Sequence, residues 1–238
     1  GGLGSLPCAI LDAAKARAEI GVIRQQTAKP VNVNFFCHEP AAPDQDRDTA
    51  WKRHLAAYYE GLGLDASVSA PAVNRAPFDE AMCEIVEDTK PEVVSFHFGL
   101  PAKPLLERVK AADSRVLSSA TTVEEARWLE DNGCDAIIAQ GYEAGGHRGM
   151  FLTDDIAMQA GTFALVPQIV DAVKVPVIAA GGIADGRGVV AAFALGASGV
   201  QIGTAYLFTP ESLISDLHRT ALGAARDDGT ALTNLFSG

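Results

Sequence analysis

Short apolar runs alternate with stretches of helical periodicity along most of this chain, most regularly in its second half. Thr122-Val123-Glu124-Glu125 has the form of a capping box. Behind it Val123, Ala126 and Leu129 fall at helical spacing, and Asn132-Gly133 supplies a stop. Ala136-Ile137-Ile138-Ala139 is wholly apolar, the pattern of a strand buried on both faces of a parallel sheet. A helix is then predicted from Phe163 to Val173 and a strand over Pro176–Ala180, ending in Gly181-Gly182. A helix from Gly188 to Leu195, stopped by Gly196, and a strand over Gly199–Gly203 follow. Gly133-Cys134-Asp135-Ala136-Ile137-Ile138 and Gly196-Ala197-Ser198-Gly199-Val200-Gln201 resemble each other directly, so the helix–strand unit repeats.

The first half follows the same grammar with more noise. Strands are predicted at Val31–Phe36, Val93–Phe98 and Arg115–Ser119, with Leu3–Leu6 as a stub. Helices are predicted at Ala9–Thr27, Phe78–Asp88 and Lys103–Ala111. Six strands and a stub fall one short of an eight-stranded β/α barrel. The chain opens Gly1-Gly2-Leu3-Gly4-Ser5 without an initiator Met and closes Asn234-Leu235-Phe236-Ser237-Gly238 without a tail, so both ends read as cut. The expected fold class is therefore α/β: one TIM (β/α)8-type barrel domain spanning residues 1–238 and lacking its first strand. The rival, an open doubly wound sheet, would carry a G-x-G-x-x-G turn after its first strand, and none is visible. Between His38 and Pro77 the pattern breaks, with Pro40, Pro43, Pro71 and Pro77 and many charges. One amphipathic helix, Thr49–Gly61, carries Trp51, Leu55, Tyr58 and Tyr59. Residues 38–77 read as an insertion after the Val31–Phe36 strand, either a solvated excursion or a lid over the strand ends.

Composition narrows the class without naming a chemistry. Hydrophobic residues make up 48% and charged residues 21%, ordinary for a globular protein and unlike a disordered or collagen-like one. No apolar run approaches the roughly 18 residues of a membrane span. The net charge of −11 disfavours nucleic acid as a partner. Cys8, Cys37, Cys83 and Cys134 form no C-x-x-C pair and no zinc spacing, which reads as reduced thiols in a cytoplasmic protein without a metal site. Self-association into a homo-oligomer stays open.

In a barrel, chemistry belongs at the strand carboxyl ends. Those ends here carry Asn32-Val33-Asn34, His97, the run Gln140–Gly149, Gly181-Gly182 and Gln201-Ile202-Gly203-Thr204. Gly181-Gly182 and Gly203-Thr204 occupy the two loops that commonly bind phosphate through backbone N–H groups, with the Thr204 hydroxyl as a further donor. Gln140 ends an apolar strand with an amide, and Asn34 offers another to a heterocycle. Gly145-Gly146 permits close approach of a flat ligand, and His147 follows as a group for proton transfer or anion stabilisation. His38 and His97 are expected at the same mouth, with Phe36, Phe96 and Phe98 as apolar lining. His54 and His218 read as surface-helix residues. Glu143 and Arg148 read as a surface ion pair without a role.

Gln140–Gly149, in one-letter code QGYEAGGHRG, resembles the signature loop of the nitronate monooxygenase family, formerly 2-nitropropane dioxygenases. Asn32–His38, Gly181–Gly186, Gln201–Thr204 and Gly1–Ser5 are similar to that family too. The resemblance implies a TIM barrel holding one FMN non-covalently. By resemblance the FMN contacts are Asn34, Gln140, Gly145, Gly181, Gly182, Gln201, Ile202, Gly203 and Thr204, and the catalytic residue is His147. The implied reaction is oxidation of alkyl nitronates with O2 to carbonyl compounds and nitrite. The family's first strand, with its Pro-Met-Ala-Gly-like turn, and its C-terminal extension have no counterpart here. Related flavin-dependent enoyl-acyl-carrier-protein and quinone reductases, which use NAD(P)H, share close versions of these motifs. A non-catalytic FMN-binding barrel is the remaining alternative.

Overall fold

The structure, a computed structural model, describes residues 2–40, 42, 44–65 and 76–234. Pro43, Pro71 and the last four residues of the chain lie outside the described residues.

The strands are β1 (Gly4–Pro7), β2 (Val31–Phe36), β3 (Val93–His97), β4 (Arg115–Ala120), β5 (Ala136–Gln140), β6 (Val177–Ala180) and β7 (Gly199–Gln201). The helices are α1 (Ala13–Gln26), α2 (Gln45–His54), α3 (Ala56–Gly61), α4 (Glu80–Thr89), α5 (Lys103–Ala111), α6 (Val123–Asp131), α7 (Thr162–Ala172), α8 (Gly186–Ala194) and α9 (Asp216–Ala224). The seven strands form one parallel sheet in chain order, β1 to β7. At least one helix lies in every connection between consecutive strands, as parallel neighbours require. Among the described residues the outer edges of β1 and β7 pair with nothing.

Local chemistry fixes where most helices start. Asp12, Asp79, Thr122 and Asp185 cap α1, α4, α6 and α8 by accepting from backbone N–H groups in the first turn. Three sequence expectations move. The predicted Ala9–Thr27 helix is a 3-10 turn, Cys8–Ile10, followed by α1, because Asp12 restarts the chain as a cap. The predicted Thr49–Gly61 helix starts earlier, at Gln45 under the Asp44 cap, and breaks at Leu55 into α2 and α3. The predicted Gly199–Gly203 strand stops at Gln201, and Thr204–Phe208 forms a 3-10 turn. The stub at Leu3–Leu6 is a genuine edge strand, β1. Helix α9 escaped the hydrophobic reading because it buries no residue, although Ser215 caps it.

The two faces of the sheet differ. Val33, Phe35, Val94, Phe96, Val116, Ile137, Ala139, Val177 and Ala179 point to one face and join Ile20, Val86, Val109, Leu129 and Ile169 from the helices in the main core. The opposite, concave face holds a small apolar floor of Leu117, Ala136, Ile138 and Ala180. Around it lie the buried polar side chains of Asn32, Ser95, Ser119 and Gln140. Phe96 is fully buried in the main core. Strand alternation sends it away from the strand-end mouth, correcting its expected place in the lining.

Candidate active site

The register sets up a polar layer at the carboxyl end of the concave face. Asn34 stands opposite Ser95, and Phe36 opposite His97, on β2 and β3. Ser119 ends up beside His97 and Gln140 beside Ala180, which in turn pairs with Gln201. Asn34 donates through Nδ2 to Ser95 Oγ at 2.9 Å and to the Ser95 carbonyl at 3.2 Å. Asn32, deeper in the same row, donates to Ser5 Oγ at 2.7 Å and Ser95 Oγ at 2.8 Å. Its buried Oδ1 has no hydrogen-bond partner among the described residues, so the layer offers an unused acceptor.

The loop after β5 is held down by side chains, and Gln140 is its first bracket. Its Nε2 donates to the His147 carbonyl at 2.9 Å and its Oε1 accepts from the Gly149 N–H at 2.7 Å. Arg148 turns back and donates to the carbonyls of Gln140, Gly141 and Tyr142, carbonyls that a departing strand end leaves unpaired. Burial pulls the Arg148 pKa below its ordinary value. Glu143 accepts from the Thr162 N–H and hydroxyl, both at 2.8 Å. Burial opposes ionisation of Glu143, but the Thr162 bonds, its own backbone N–H and the Arg148 charge together hold the carboxyl below its usual range. Arg148 and Glu143 thus fasten the loop, where the sequence suggested a surface ion pair. Further on, the fully buried Glu125 accepts from the N–H groups of Phe151 and Leu152, besides those of Thr121 and its hydroxyl. The capping box therefore ties α6 to the loop instead of only closing its own helix.

On this clamped backbone the His147 side chain is exposed. Its ring lies 5.1 Å from Phe36 and 6.1 Å from Phe98, centroid to centroid. His97 and His38 belong to the same aromatic group, within 5.6 and 6.2 Å of Phe36. Phe98 holds a left-handed backbone, φ +67°, which is unusual for a bulky residue and marks a locally strained turn at the mouth. His54 and His218 sit exposed on α2 and α9, as expected of surface-helix residues.

The glycines bring the remaining strand ends together. A Cβ added to Gly181 would lie 2.9 Å from the Ala144 N, and one added to Gly145 would lie 3.0 Å from Thr204 Oγ1. Consecutive residues of the β5 loop therefore touch both glycine turns, two residues before His147. Gly181 and Gly182 have φ of +121° and +66°, a backbone that side chains rarely adopt. A Cβ on Gly146 or Gly203 would meet nothing within 4 Å, so bare backbone borders open space there. Gln201, Gly203 and Thr204 are exposed, and Ile202 is half-buried. A shallow concavity of about 680 Å³ at the start of α8 is lined by Asp185, Gly186, Arg187 and Val190. The helix N-terminus there is already capped by the Asp185 carboxylate, at 2.9 Å from the Arg187 N–H, which leaves it poorly suited to an anion.

The residues missed from sequence are Ser95, Ser119, Glu125, Arg148 and Thr162. Ser95 and Ser119 were detectable as polar residues on alternate positions of otherwise apolar strands. Glu125 was visible only as a capping-box member, and the bonds of Arg148 to nearby carbonyls and of Thr162 to Glu143 have no signature in residue type. All four cysteines are unpaired, and burial pushes the Cys8 and Cys134 thiols up to about 12, which makes them inert packing groups. Among the described residues no cluster could hold a metal ion, and no helix is long and apolar enough to cross a membrane.

A curled parallel sheet with its polar and glycine-bordered residues gathered at the strand carboxyl ends defines an α/β protein with a ligand face in the manner of β/α barrels. The chain belongs to the nitronate monooxygenase family, whose model matches residues 1–238. It is 42% identical to a nitronate monooxygenase of Paraburkholderia phytofirmans over 100% of this chain and 65% of that protein. It is 43% identical to a nitronate monooxygenase of Pseudomonas aeruginosa, over 100% of this chain and 68% of that protein. The chain thus spans about two thirds of the length of these relatives. Among solved structures, nitroalkane oxidase from Streptomyces ansochromogenes superposes with a TM-score of 0.84 at 36% identity, covering 93% of this chain and 63% of that one. FabK from Thermotoga maritima follows at a TM-score of 0.68 and 30% identity, covering 94% and 57%.

Proposed function

We propose that this chain carries the catalytic face of an FMN-dependent oxidoreductase that converts alkyl nitronates and O2 to carbonyl compounds and nitrite. The observation that carries the reading is the meeting of Ala144 and Gly145 with the Gly181 and Thr204 turns, immediately before an exposed His147. Three strand-end loops then present bare backbone and one hydroxyl to one space, which suits a flat ring with a phosphate tail. The donor set fits FMN. Backbone N–H groups of Gly181, Gly182, Gly203 and Thr204 and the Thr204 hydroxyl would receive the phosphate. Gln201, Ile202, Gly145, Gln140 and Asn34 would border the rest, with the unused Asn32 acceptor below them. FMN, when bound, would supply the redox chemistry.

The protein's own contribution centres on His147. A neutral nitroalkane must lose its α-proton, and the imidazole at the mouth takes it. For a pre-formed nitronate, His147 instead stabilises the anion as imidazolium. Phe36 and Phe98 keep the alkyl portion out of water. The greater likeness to nitroalkane oxidase than to FabK supports this reading over an NAD(P)H-dependent reductase. Anaerobic flavin bleaching by a nitronate and not by NADH is the expected outcome; the reverse would make the protein a reductase. His147→Ala should keep its flavin and lose turnover of neutral nitroalkanes about 10²–10⁴-fold, with a far smaller loss on pre-formed nitronates. Equal loss on both would remove the base role.

We infer further that the two free edges, on β1 and β7, are joined in the whole protein by an eighth strand, closing a single TIM-type domain. Support comes from seven consecutive parallel strands whose outer edges pair with nothing among the described residues and from relatives about one half longer than this chain. Residues 38–77, with α2 and α3, would be the insertion beside the mouth. Unpaired cysteines favour the cytoplasm.

A further inference from the structure

We propose that Ser119 and His97 form a tautomer-fixed strut that clamps the His147 carbonyl, making His97 a positioning residue for the His147 imidazole. The proposal rests on the reading of His147 as the acid–base group.

For a neutral ring the geometry leaves one assignment of protons. His97 Nε2 lies 3.0 Å from the His147 carbonyl oxygen, and its Nδ1 lies 3.0 Å from Ser119 Oγ. A carbonyl oxygen only accepts, so Nε2 carries the hydrogen. A neutral ring has one N–H, so Nδ1 accepts and the Ser119 hydroxyl donates. The carbonyl selects the tautomer, the Ser119 hydroxyl on β4 supports it from the other ring nitrogen, and the ring on β3 links β4 to the β5 loop. The neutral state has a physical cause. Burial pushes the His97 pKa down to about 4, and the facing charges of His147 and Arg148 act in the same direction, against the bond to the His147 carbonyl. Ser119 from β4, Phe36 from β2 and the adjacent Phe98, 4.6 Å away centroid to centroid, bring no charge.

The same carbonyl also receives the Gln140 N–H at 2.9 Å. It is thus gripped from β3 on one side and β5 on the other. Two residues on, the loop backbone presses against the strut: a Cβ on Gly149 would lie 2.6 Å from His97 Cε1. Gly149 itself is held by Gln140 Oε1. On the other flank Gly146 has a φ of +78° and open space around it. The grip on the carbonyl therefore restrains a peptide that the glycines before it leave free. A catalytic imidazole gains most from such restraint, since displacement by about 1 Å can cost about a hundredfold in rate.

The test uses the holoenzyme and three variants, His97→Leu, His97→Gln and Ser119→Ala. Nitrogen-15 NMR of His97 in the parent should report a neutral ring protonated on Nε2 from pH 7 down to about pH 5. Ser119→Ala should keep the Nε2-protonated ring, which the His147 carbonyl still selects, but shift the Nδ1 resonance because that nitrogen loses its donor. His97→Leu should lose up to about a hundredfold in kcat on neutral nitroalkanes, with KM and flavin occupancy unchanged, and should speed hydrogen exchange at the Gly149 amide. His97→Gln, which can still donate one N–H to the carbonyl, should recover most of both. A cationic or Nδ1-protonated His97 in the parent would overturn the strut. So would equal losses in His97→Leu and His97→Gln at matched folding and flavin content. The reading of His147 fails separately: unimpaired His147→Ala would end the acid–base role, while the His97 tautomer and the Gly149 exchange rate would still report the strut.

Discussion

Along β2 to β5, alternate residues of one strand meet opposite surroundings. Val33, Phe35, Val94, Phe96, Val116 and Ile137 pack beneath α1, α4, α5 and α6 in a continuous apolar core. Their neighbours Asn34, Ser95, His97, Ser119 and Gln140 turn to the concave face, where the apolar floor is the small cluster of Leu117, Ala136, Ile138 and Ala180 with Val93 and Ile178 at its margin. Burial is high on both faces, but its chemistry differs. On the convex face it is dispersion and hydrophobic area, which is non-directional and tolerant. On the concave face it is a chain of bonds, Ser119 to His97 to the His147 carbonyl to Gln140 to Gly149. A network of that kind specifies position more than it adds stability. Stability and catalysis should therefore separate by residue parity along these strands.

The largest effect expected from that separation is on the convex side. Phe96 is fully buried and packs against Phe35 and Phe78, at centroid distances of 6.4 and 5.2 Å. Phe96→Ala should cost about 3–5 kcal/mol, read as a lower denaturant midpoint at unchanged slope. The fraction that stays folded should keep its flavin and its kcat. A variant with normal stability and altered kcat would break the division between the faces.

The convex face is also the part the sequence made plain. Apolar runs such as Ala136–Ala139, bounded by caps and glycine stops, mark both the strands and the helices that cover them. Parity was the missing information. Phe96 and His97 are adjacent, and composition alone put both at the mouth; only the register that pairs Phe36 with His97 sends Phe96 the other way. On the concave face the strand-end residues were legible because polar groups and glycines interrupt apolar strands. Their fastenings were not. Arg148 works through three main-chain carbonyls and Glu125 through main-chain N–H groups of Phe151 and Leu152. Backbone partners leave no trace in a residue pattern. The break at Leu55 between α2 and α3 is equally silent, since neither proline nor glycine stands there.

A second, smaller separation appears in acid. His97 has a native pKa of about 4 against an ordinary 6.5. Below pH 6.5 the unfolded chain takes up a proton that the native ring refuses. The associated stability is complete above pH 6.5 and is lost as the pH falls toward 4. The slope approaches about 1.4 kcal/mol per pH unit within that window. His97→Gln removes the titrating group, so its stability should fall less between pH 6.5 and 4.5 than the parent's. Parallel curves would mean that His97 titrates alike in both states and that the concave face buries it less than its bonds suggest.

The smallest contrast is the sharpest, because it compares adjacent residues. Ser118 faces the convex side and donates to the Gly99 carbonyl at 2.7 Å, steadying the turn in which Phe98 and Gly99 both have positive φ. Ser119 faces the concave side and donates to His97 Nδ1 at 3.0 Å. Both hydroxyls are buried and each makes a hydrogen bond of ordinary strength. Ser118→Ala and Ser119→Ala should therefore each cost about 1 kcal/mol of stability. Thermal unfolding alone would not tell them apart. Turnover should, since only Ser119 acts on the ring that grips the His147 carbonyl. Ser119→Ala should lower kcat on neutral nitroalkanes at unchanged KM, whereas Ser118→Ala should leave both as in the parent. If the two variants lost turnover together, the loss would follow stability and not position. The concave layer would then be a second core with polar members, and its bonds would do no more than hold the strands together.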